Sequence, residues 1–339
     1  MTHLFPSMDL DEALRKYRTA GDTIKLTRVD GEDGKPIPYT TRGAWAFADL
    51  GYVGFAPGVT IDATDCEIQF AEDAEQNTDG EERPERDLQW PWFGDDFGII
   101  GGTWNLGGHQ GKHPGWALSG FRALGDGYIK GARLKGQRGF NKNVLNNPKY
   151  TGHVVKESFA LTTVAGAYVD LEDCIADEPD VSDPEIVYVS GWYPFSGSVT
   201  RCAANYGPAG WFAFSCVERT DFIDCKGDSS FWWYTDTGNG HAVIRNPSGA
   251  GYHAIIGCRQ SGRREIVVIG GPETLIGHRA VEWSDGADDG FVLLDGVKFN
   301  VEYLAAIDAK RGAVIVKDCG DAKWEKVHVT PGSFQPTIV

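Results

Sequence analysis

Short stretches in which apolar and polar residues alternate recur along this chain, and several of them end on a cysteine. They read "DATDC" to Cys66, "DLEDC" to Cys174, "SVTRC" to Cys202, "FIDC" to Cys225, "AIIGC" to Cys258 and "VIVKDC" to Cys319. Three residues before the thiol stand Leu171, Val199, Phe222, Ile255 and Val316, and five before it Ile61, Val169 and Val314. Sites two apart share one face of a strand, so these residues predict a buried stripe. The step from the last apolar site to the cysteine is three residues, which in an unbroken strand would turn the thiol to the opposite face. A corner just before the cysteine, at Asp173, Arg201, Asp224, Gly257 or Asp318, resolves the conflict. The charge points outward, while the aliphatic side chain and the thiol point inward.

The spacings are 28 residues from Cys174 to Cys202, 23 to Cys225 and 33 to Cys258. Val297 falls in the same register, 22 residues before Cys319, and "FGIIGGTW" and "YIKGARL" add earlier turns with Trp104 and Leu134 inward. A variable period built from short strands is the mark of a coil whose insertions fall in its loops. On "PGVTIDATDCEIQF", "FGIIGGTWNLGG" and the cysteine-ended strands, residues 55 to 320 resemble the right-handed parallel β-helix, or pectin-lyase-like, superfamily. The expected fold is therefore all-β: a single-stranded right-handed parallel β-helix with a short N-terminal capping helix. The expected segments are 1 to 54 for the cap and lead-in strands, 55 to 320 for the β-helix, and 321 to 339 for a tail that caps the far end or contacts a neighbouring subunit. Asp9 followed by Glu12 predicts a capping box, Leu10, Ala13, Leu14 and Tyr17 fall at helical spacing, and Gly21 is positioned to stop the helix.

Charge narrows the partners. Forty-eight acidic against 32 basic side chains give a net charge of −16, which repels a phosphate backbone and excludes nucleic acid as the expected partner. The acidic stretch 72 to 87 has no ligand spacing and reads as a solvated loop. No stretch is apolar enough to span a bilayer, and the N-terminus lacks the pattern of a signal peptide. Seven cysteines without a C-x-x-C pair argue against a disulfide framework or zinc ribbon. Inward thiols at one register read as buried small hydrophobes; bridging and metal binding are the alternatives, disfavoured because parallel Cβ vectors suit a disulfide poorly. No metal or cofactor is expected.

Candidate chemistry gathers in the aromatic runs "WPWF", "GWYPF", "GWFAF" and "FWWY". Alternation cannot bury every ring of such a run, so some face solvent or another chain. Trp192, Tyr193, Trp211, Trp232, Trp233 and Tyr234, with Arg263 and Arg264, are the candidate glycan-binding residues; a subunit interface and plain loop packing are the alternatives. Asp177, Asn205 and Asp228 follow successive cysteines by three and either line one edge or simply end strands. Asp228, Asp236 and His253 are the candidate catalytic residues, with His241 and Glu265 nearby, for hydrolysis between paired carboxylates or for lyase chemistry. His109 and His113 sit in a glycine-rich loop and "GGHQGK" misses the phosphate-loop pattern.

The resemblance implies either a secreted carbohydrate lyase or hydrolase, or a tailspike-like virion protein. Reduced-looking thiols, the N-terminal plug and the aromatics favour the second: a homotrimeric virion surface protein, made in a host cytoplasm, that binds a host surface polysaccharide or glycoprotein and contacts other virion proteins. An extracellular polysaccharide lyase or glycoside hydrolase and a purely structural virion protein are the competing expectations.

Overall fold

The computed structural model describes residues 1–43, 57–71, 93–105, 121–135, 157–163, 167–176, 188–193, 196–204, 210–214, 219–227, 231–233, 240–248, 254–258, 264–271, 275–276, 279–283, 290–299, 306–309, 313–319 and 337–338, several strands by backbone alone. The chain divides into two units, Met1–Gly191 and Trp192–Val339.

The first unit runs β1 (Thr2–Leu4), α1 (Leu10–Tyr17), β2 (Thr23–Leu26), β3 (Tyr39–Thr41), β4 (Thr60–Asp62), β5 (Glu67–Phe70), β6 (Phe97–Ile100), β7 (Thr103–Asn105), β8 (Phe121–Ala123), β9 (Gly127–Lys130), β10 (Arg133–Lys135), β11 (Glu157–Thr163), β12 (Val169–Glu172) and β13 (Ile175–Ala176). Strands β1, β2, β4, β6, β9 and β12 pair in that order, all parallel, as a first sheet. Strands β3, β5, β7, β10 and β13 form a parallel second sheet, and β8 pairs with β11 in a third. After each first-sheet strand from β2 onward the chain turns a corner, lays down a second-sheet strand, and returns one layer further on.

Strand β14 (Tyr188–Tyr193) spans the unit boundary in sequence. The second unit continues with β15 (Gly197–Thr200), β16 (Ala203–Ala204), β17 (Gly210–Phe214), β18 (Arg219–Ile223), β19 (Lys226–Gly227), β20 (Phe231–Trp233), β21 (Gly240–Arg245), β22 (Ala254–Cys258), β23 (Arg264–Ile269), β24 (Leu275–Ile276), β25 (Arg279–Trp283), β26 (Gly290–Asp295), β27 (Lys298–Phe299), β28 (Ala306–Ala309), β29 (Ala313–Lys317) and β30 (Thr337–Ile338). Its first sheet is β15, β18, β21, β23, β26, β29 and β30, again parallel. Its third is β17, β20, β22, β25 and β28, with β16–β19 and β24–β27 completing the second face. Both units are thus the expected all-β parallel coil. The chain's last described residues do not leave the sheet, since Ile315 and Val316 face Thr337 and Ile338.

The corner that the sequence required is a left-handed residue. Asp65, Asp173, Arg201, Asp224, Asn246 and Asp318 have φ between 48° and 61°, and Gly101, Gly131 and Gly296 take the same place with φ of 64° to 67°. Asp, Asn and Gly are the residues that reach this region at least cost, which is why they dominate the position. The turn keeps the parallel ladder intact. Arg201 donates its N–H to Ile223, Asp224 to Arg245, Asn246 to Ile269 and Gly296 to Lys317 at 2.8–3.0 Å. One residue past the thiol the ladder resumes, Lys226 donating to Cys202 and Ser248 to Cys225.

The stripe is buried as predicted: Ile61, Val169, Leu171, Val199, Phe222 and Val316 are at most 3% exposed, and so are Leu134 and Val297, while Trp104 reaches 4%. Cys66, Cys174, Cys202 and Cys225 are buried and Cys319 half-buried, all five as free thiols. Each thiol meets backbone carbonyls: Cys174 reaches Ile129 and Glu172 at 3.3 Å, and Cys225 reaches Val199 at 3.2 Å. The weak thiol hydrogen bond is an addition to an intact ladder, since the Glu172 carbonyl already accepts the Gly131 N–H. Cys258 departs from the expectation. It ends β22 in the third sheet, opposite Trp233 and Trp283, and is not a corner residue. The corner of its coil is Asn246–Pro247, so Pro247 stands where Cys225 stands one layer earlier.

The capping helix forms as predicted, with Asp9 at its N-cap accepting the Glu12 N–H at 2.9 Å, and Leu10, Ala13 and Leu14 buried. Gly21 does not end it. The helix stops at Tyr17, and Gly21 (φ 78°) instead opens β2, its N–H donating to Pro57. Asp11 anchors the helix to β3 by accepting from the Thr41 hydroxyl and the Arg42 N–H. Burial raises the Asp11 pKa above its ordinary 3.8 against the opposing pull of those two hydrogen bonds. Tyr39, 1% exposed, ties three strands together: its hydroxyl reaches the Leu4 carbonyl at 2.7 Å and accepts from the Thr27 N–H at 2.9 Å. Burial pushes its pKa up to about 12. Phe93, Phe97, Phe121 and Trp104 form a ring cluster with centroids 5.0–6.1 Å apart.

Candidate functional site

The residues chosen from sequence fall into two groups. Asp228, Asp236, His253, Tyr234 and Arg263, together with Asp177, Asn205, His109, His113 and the acidic stretch 72 to 87, lie outside the described residues. The others sit on strands placed by their backbone: Trp192 and Tyr193 end β14, Trp211 lies in β17, Trp232 and Trp233 in β20, and Arg264 opens β23 between Gly240 and Gly290.

Register sorts the aromatic strands of the second unit into columns. Phe214, Trp233, Cys258, Trp283 and Ala309 occupy one column, and two residues back Phe212, Phe231, Ile256, Val281 and Ile307 occupy another. Between them run Ala213, Trp232, Gly257, Glu282 and Asp308. Alternation assigns the two apolar columns to one face and the column carrying Glu282 and Asp308 to the other. Trp211, two residues before Ala213, shares the face of Trp232.

On the first sheet, parallel pairing brings together two members of the charged constellation. His241 faces Glu265 across one layer, with His241 Nδ1 3.7 Å from Glu265 Oε2 and both side chains about one-third exposed. Arg219, which faces His241 on the other side, grips Asp221 through its Nε at 2.9 and 3.1 Å.

The first unit holds a concave site that no local motif signals. Its cavity is ≈ 570 Å³ and lies over the corners between the first and second sheets. Thr64, Asp65, Cys66 and Glu67 come from one layer, Gly101, Gly102 and Thr103 from the next, and Lys130, Gly131 and Arg133 from the third, with Arg28 at the rim. The coil is what assembles it. Thr103 faces Glu67 and Arg133 faces Thr103, so residues some 30 apart in sequence become vertical neighbours. The floor is bare because Gly101 and Gly102 admit no side chain: a Cβ on either would lie 2.9 Å from Thr64 Cα or 2.8 Å from Ala63 Cβ.

Three cations and two carboxylates line this cavity. Arg28 pairs with Asp30 at 2.7 Å, Lys130 with Glu172 at 2.7 Å, and Glu67 with Lys135 at 3.4 Å while accepting from Asn105 at 2.8 Å. Burial pushes the Cys66 thiol up, which disfavours its thiolate form. Aligning "TIDATDCEI", "FGIIGGTWN" and "YIKGARLK" by their corners would have found the site, since Glu67, Thr103 and Arg133 then stack. Among the described residues no group of three or more His, Cys, Asp or Glu is placed to hold a metal ion.

Beside the cavity, on the outer face of the first sheet, Tyr128 is 39% exposed. It faces Gly98 on one side and Asp170 on the other, and Gly98 in turn faces Thr60. A Cβ on Gly98 would stand 2.7 Å from Tyr128 Cζ and Oη and 2.8 Å from Thr60 Oγ1. The phenol therefore lies down over bare backbone.

Comparison with protein-family models, with curated proteins and with solved structures returns no match.

Proposed function

We propose that this chain is a tailspike-like virion surface protein of the pectin-lyase-like kind, whose coils hold a glycan of the host cell surface. The observation that carries the reading is the column containing Trp232. Parallel stacking aligns aromatic strands β17 and β20 with β22, β25 and β28, and sets Trp211 and Trp232 on the face that also carries Glu282 and Asp308. An aromatic position on the same face as carboxylate positions two and three layers on suits the apolar face of a sugar whose hydroxyls need acceptors. Five described cysteines are free thiols, which fits folding in a reducing cytoplasm before assembly. Trimerisation and contacts with other virion proteins belong to this reading by analogy with tailspikes.

The test is retention of the purified chain on host surface polysaccharide, with reducing ends and unsaturated-uronate absorbance followed in parallel. The reading expects retention without turnover, and loss of retention in Trp211→Ala and Trp232→Ala. Turnover that disappears in Asp236→Ala or His253→Ala would replace it with a polysaccharide lyase or glycoside hydrolase. No retention on any surface glycan would leave a purely structural protein.

A further inference from the structure

Stacked corners repeat one side-chain position layer after layer, and at one height in the second unit two successive occupants are thiols. Ala203 pairs with Lys226 in parallel register and Lys226 donates its N–H to the Cys202 carbonyl, so Cys202 and Cys225 hold the same place in adjacent layers. Their side chains make the same contact. Cys202 Sγ lies 3.4 Å from the carbonyl of Thr200, two residues back, and Cys225 Sγ lies 3.5 Å from that of Ile223. One rotamer repeated by the coil carries one sulfur onto the next along the coil axis, at the layer spacing of roughly 4.7–4.9 Å. In the first unit Gly102 and Ala132 stand between Cys66 and Cys174, and in the second Pro247 follows Cys225.

We infer that Cys202 and Cys225 together hold one two-coordinate thiophilic d10 ion, mercury(II) in preference to copper(I) or silver(I). The layer spacing is too long for a disulfide, whose sulfurs sit about 2.0 Å apart. A metal–thiolate bond is about 2.3 Å long, so a straight sulfur–metal–sulfur unit measures about 4.6 Å from end to end. Parallel side chains that point across the coil suit a disulfide poorly, yet they present sulfur lone pairs along the axis, where such an ion sits. Thiolate softness selects the ion class, and charge selects within it. Val199 and Phe222, the inward neighbours of the pair, are both 0% exposed. Two thiolates cancel a divalent ion, whereas a monovalent one leaves a net negative charge in that apolar surrounding. Zinc asks for four donors in a tetrahedron, and this column supplies two. On loading, two S–H bonds break, two sulfur–mercury bonds form, two protons leave to solvent and no electron moves. The hydrogen bond from Cys225 to the Val199 carbonyl, 3.2 Å long, is given up with its proton. The site shares no residue with the aromatic strands and stands or falls separately from the glycan reading.

The experiment incubates the full chain with one equivalent of mercury(II) chloride, challenges it with glutathione, and weighs it by native mass spectrometry. The expected product carries one mercury and has lost two hydrogens, and X-ray absorption finds two sulfurs at about 2.3 Å with no third ligand. Because both sulfurs are buried, at 1% and 0% exposure, loading is slow and waits on opening of the coil. Cys202→Ala and Cys225→Ala each hold mercury at least about a hundredfold more weakly, the gain that linking two sites confers. Cys66→Ala and Cys319→Ala hold it like the parent, and zinc(II) is not retained. Thermal unfolding checks that each variant is folded. Where an alanine variant does not fold, an anomalous difference map of the loaded parent decides: mercury between Cys202 and Cys225 supports the inference, and mercury elsewhere overturns it. Unchanged retention in either alanine variant would overturn it too, as would three or four sulfurs around the ion, zinc held as tightly as mercury, or a chain two hydrogens lighter with no mercury.

Discussion

Replacing Asp224 by valine and by glycine separates the corner's backbone requirement from its side-chain contact. Asp224 holds φ 54°, and its carboxylate accepts from Asn246 Nδ2 at 2.9 Å. Both variants lose that exposed hydrogen bond, worth about 0.5–1 kcal/mol. Valine adds the cost of a β-branched side chain in the left-handed region, about 1–2 kcal/mol, for a total of about 1.5–3 kcal/mol. Glycine sheds strain instead, and its extra unfolded-state entropy of about 0.5–1 kcal/mol leaves it close to the parent or mildly destabilised. The difference between the variants, about 1–2 kcal/mol, therefore excludes the shared side-chain contact and reports the backbone requirement of the corner. Urea unfolding gives the global effect. Hydrogen exchange at the Asp224 and Asn246 amides, which donate to Arg245 and Ile269, reports it locally. Equal destabilisation by valine and glycine would refute the argument, because the side-chain contact would then be the whole effect.

Asp11 gives a pH dependence of unusual sign. Its folded-state pKa lies above the ordinary 3.8, so its contribution is fully present below the unfolded value and is lost as pH rises through the folded one. Exchange of the α1 amides is expected to be slower on the acid side of that window, and Asp11→Asn should flatten the profile; an unchanged profile would remove Asp11 as its source. Alkylation mapped by mass spectrometry should label Cys319 before Cys66, Cys174, Cys202 and Cys225, since only Cys319 among these is not fully buried. Labelling of Cys225 at the rate of Cys319 would contradict its burial.

The coil was legible because its corner makes two demands of adjacent residues, a tolerated left-handed conformation and then a small inward side chain. Asp173–Cys174 and Asp224–Cys225 answer both in plain view. "AIIGC" misled for the same reason. Gly257–Cys258 imitates the corner in composition, but Gly257 lies mid-strand between Trp232 and Glu282, whereas the corner of that coil is Asn246–Pro247 and carries no cysteine. Gly21 imitates a helix stop while its left-handed backbone serves the entry to β2. The aromatic runs could be recognised from sequence as unable to bury every ring. Which ring takes which face, as in Trp232 and Trp233, needed the pairing partners. The cavity stayed hidden because Glu67, Thr103 and Arg133 form no pattern until three layers are superimposed, and Tyr128 is an ordinary strand tyrosine until Gly98 is found beneath it.

Thr200 meets Ile223 in the same alignment that Ile223 keeps with Arg245. A genetic event that drops or copies the segment between two such partners therefore rejoins the protein in phase, whatever the size of the excursions in between. Inheritance can thus lengthen or shorten this molecule in whole steps, trading reach for economy while the rest of the stack keeps its neighbours.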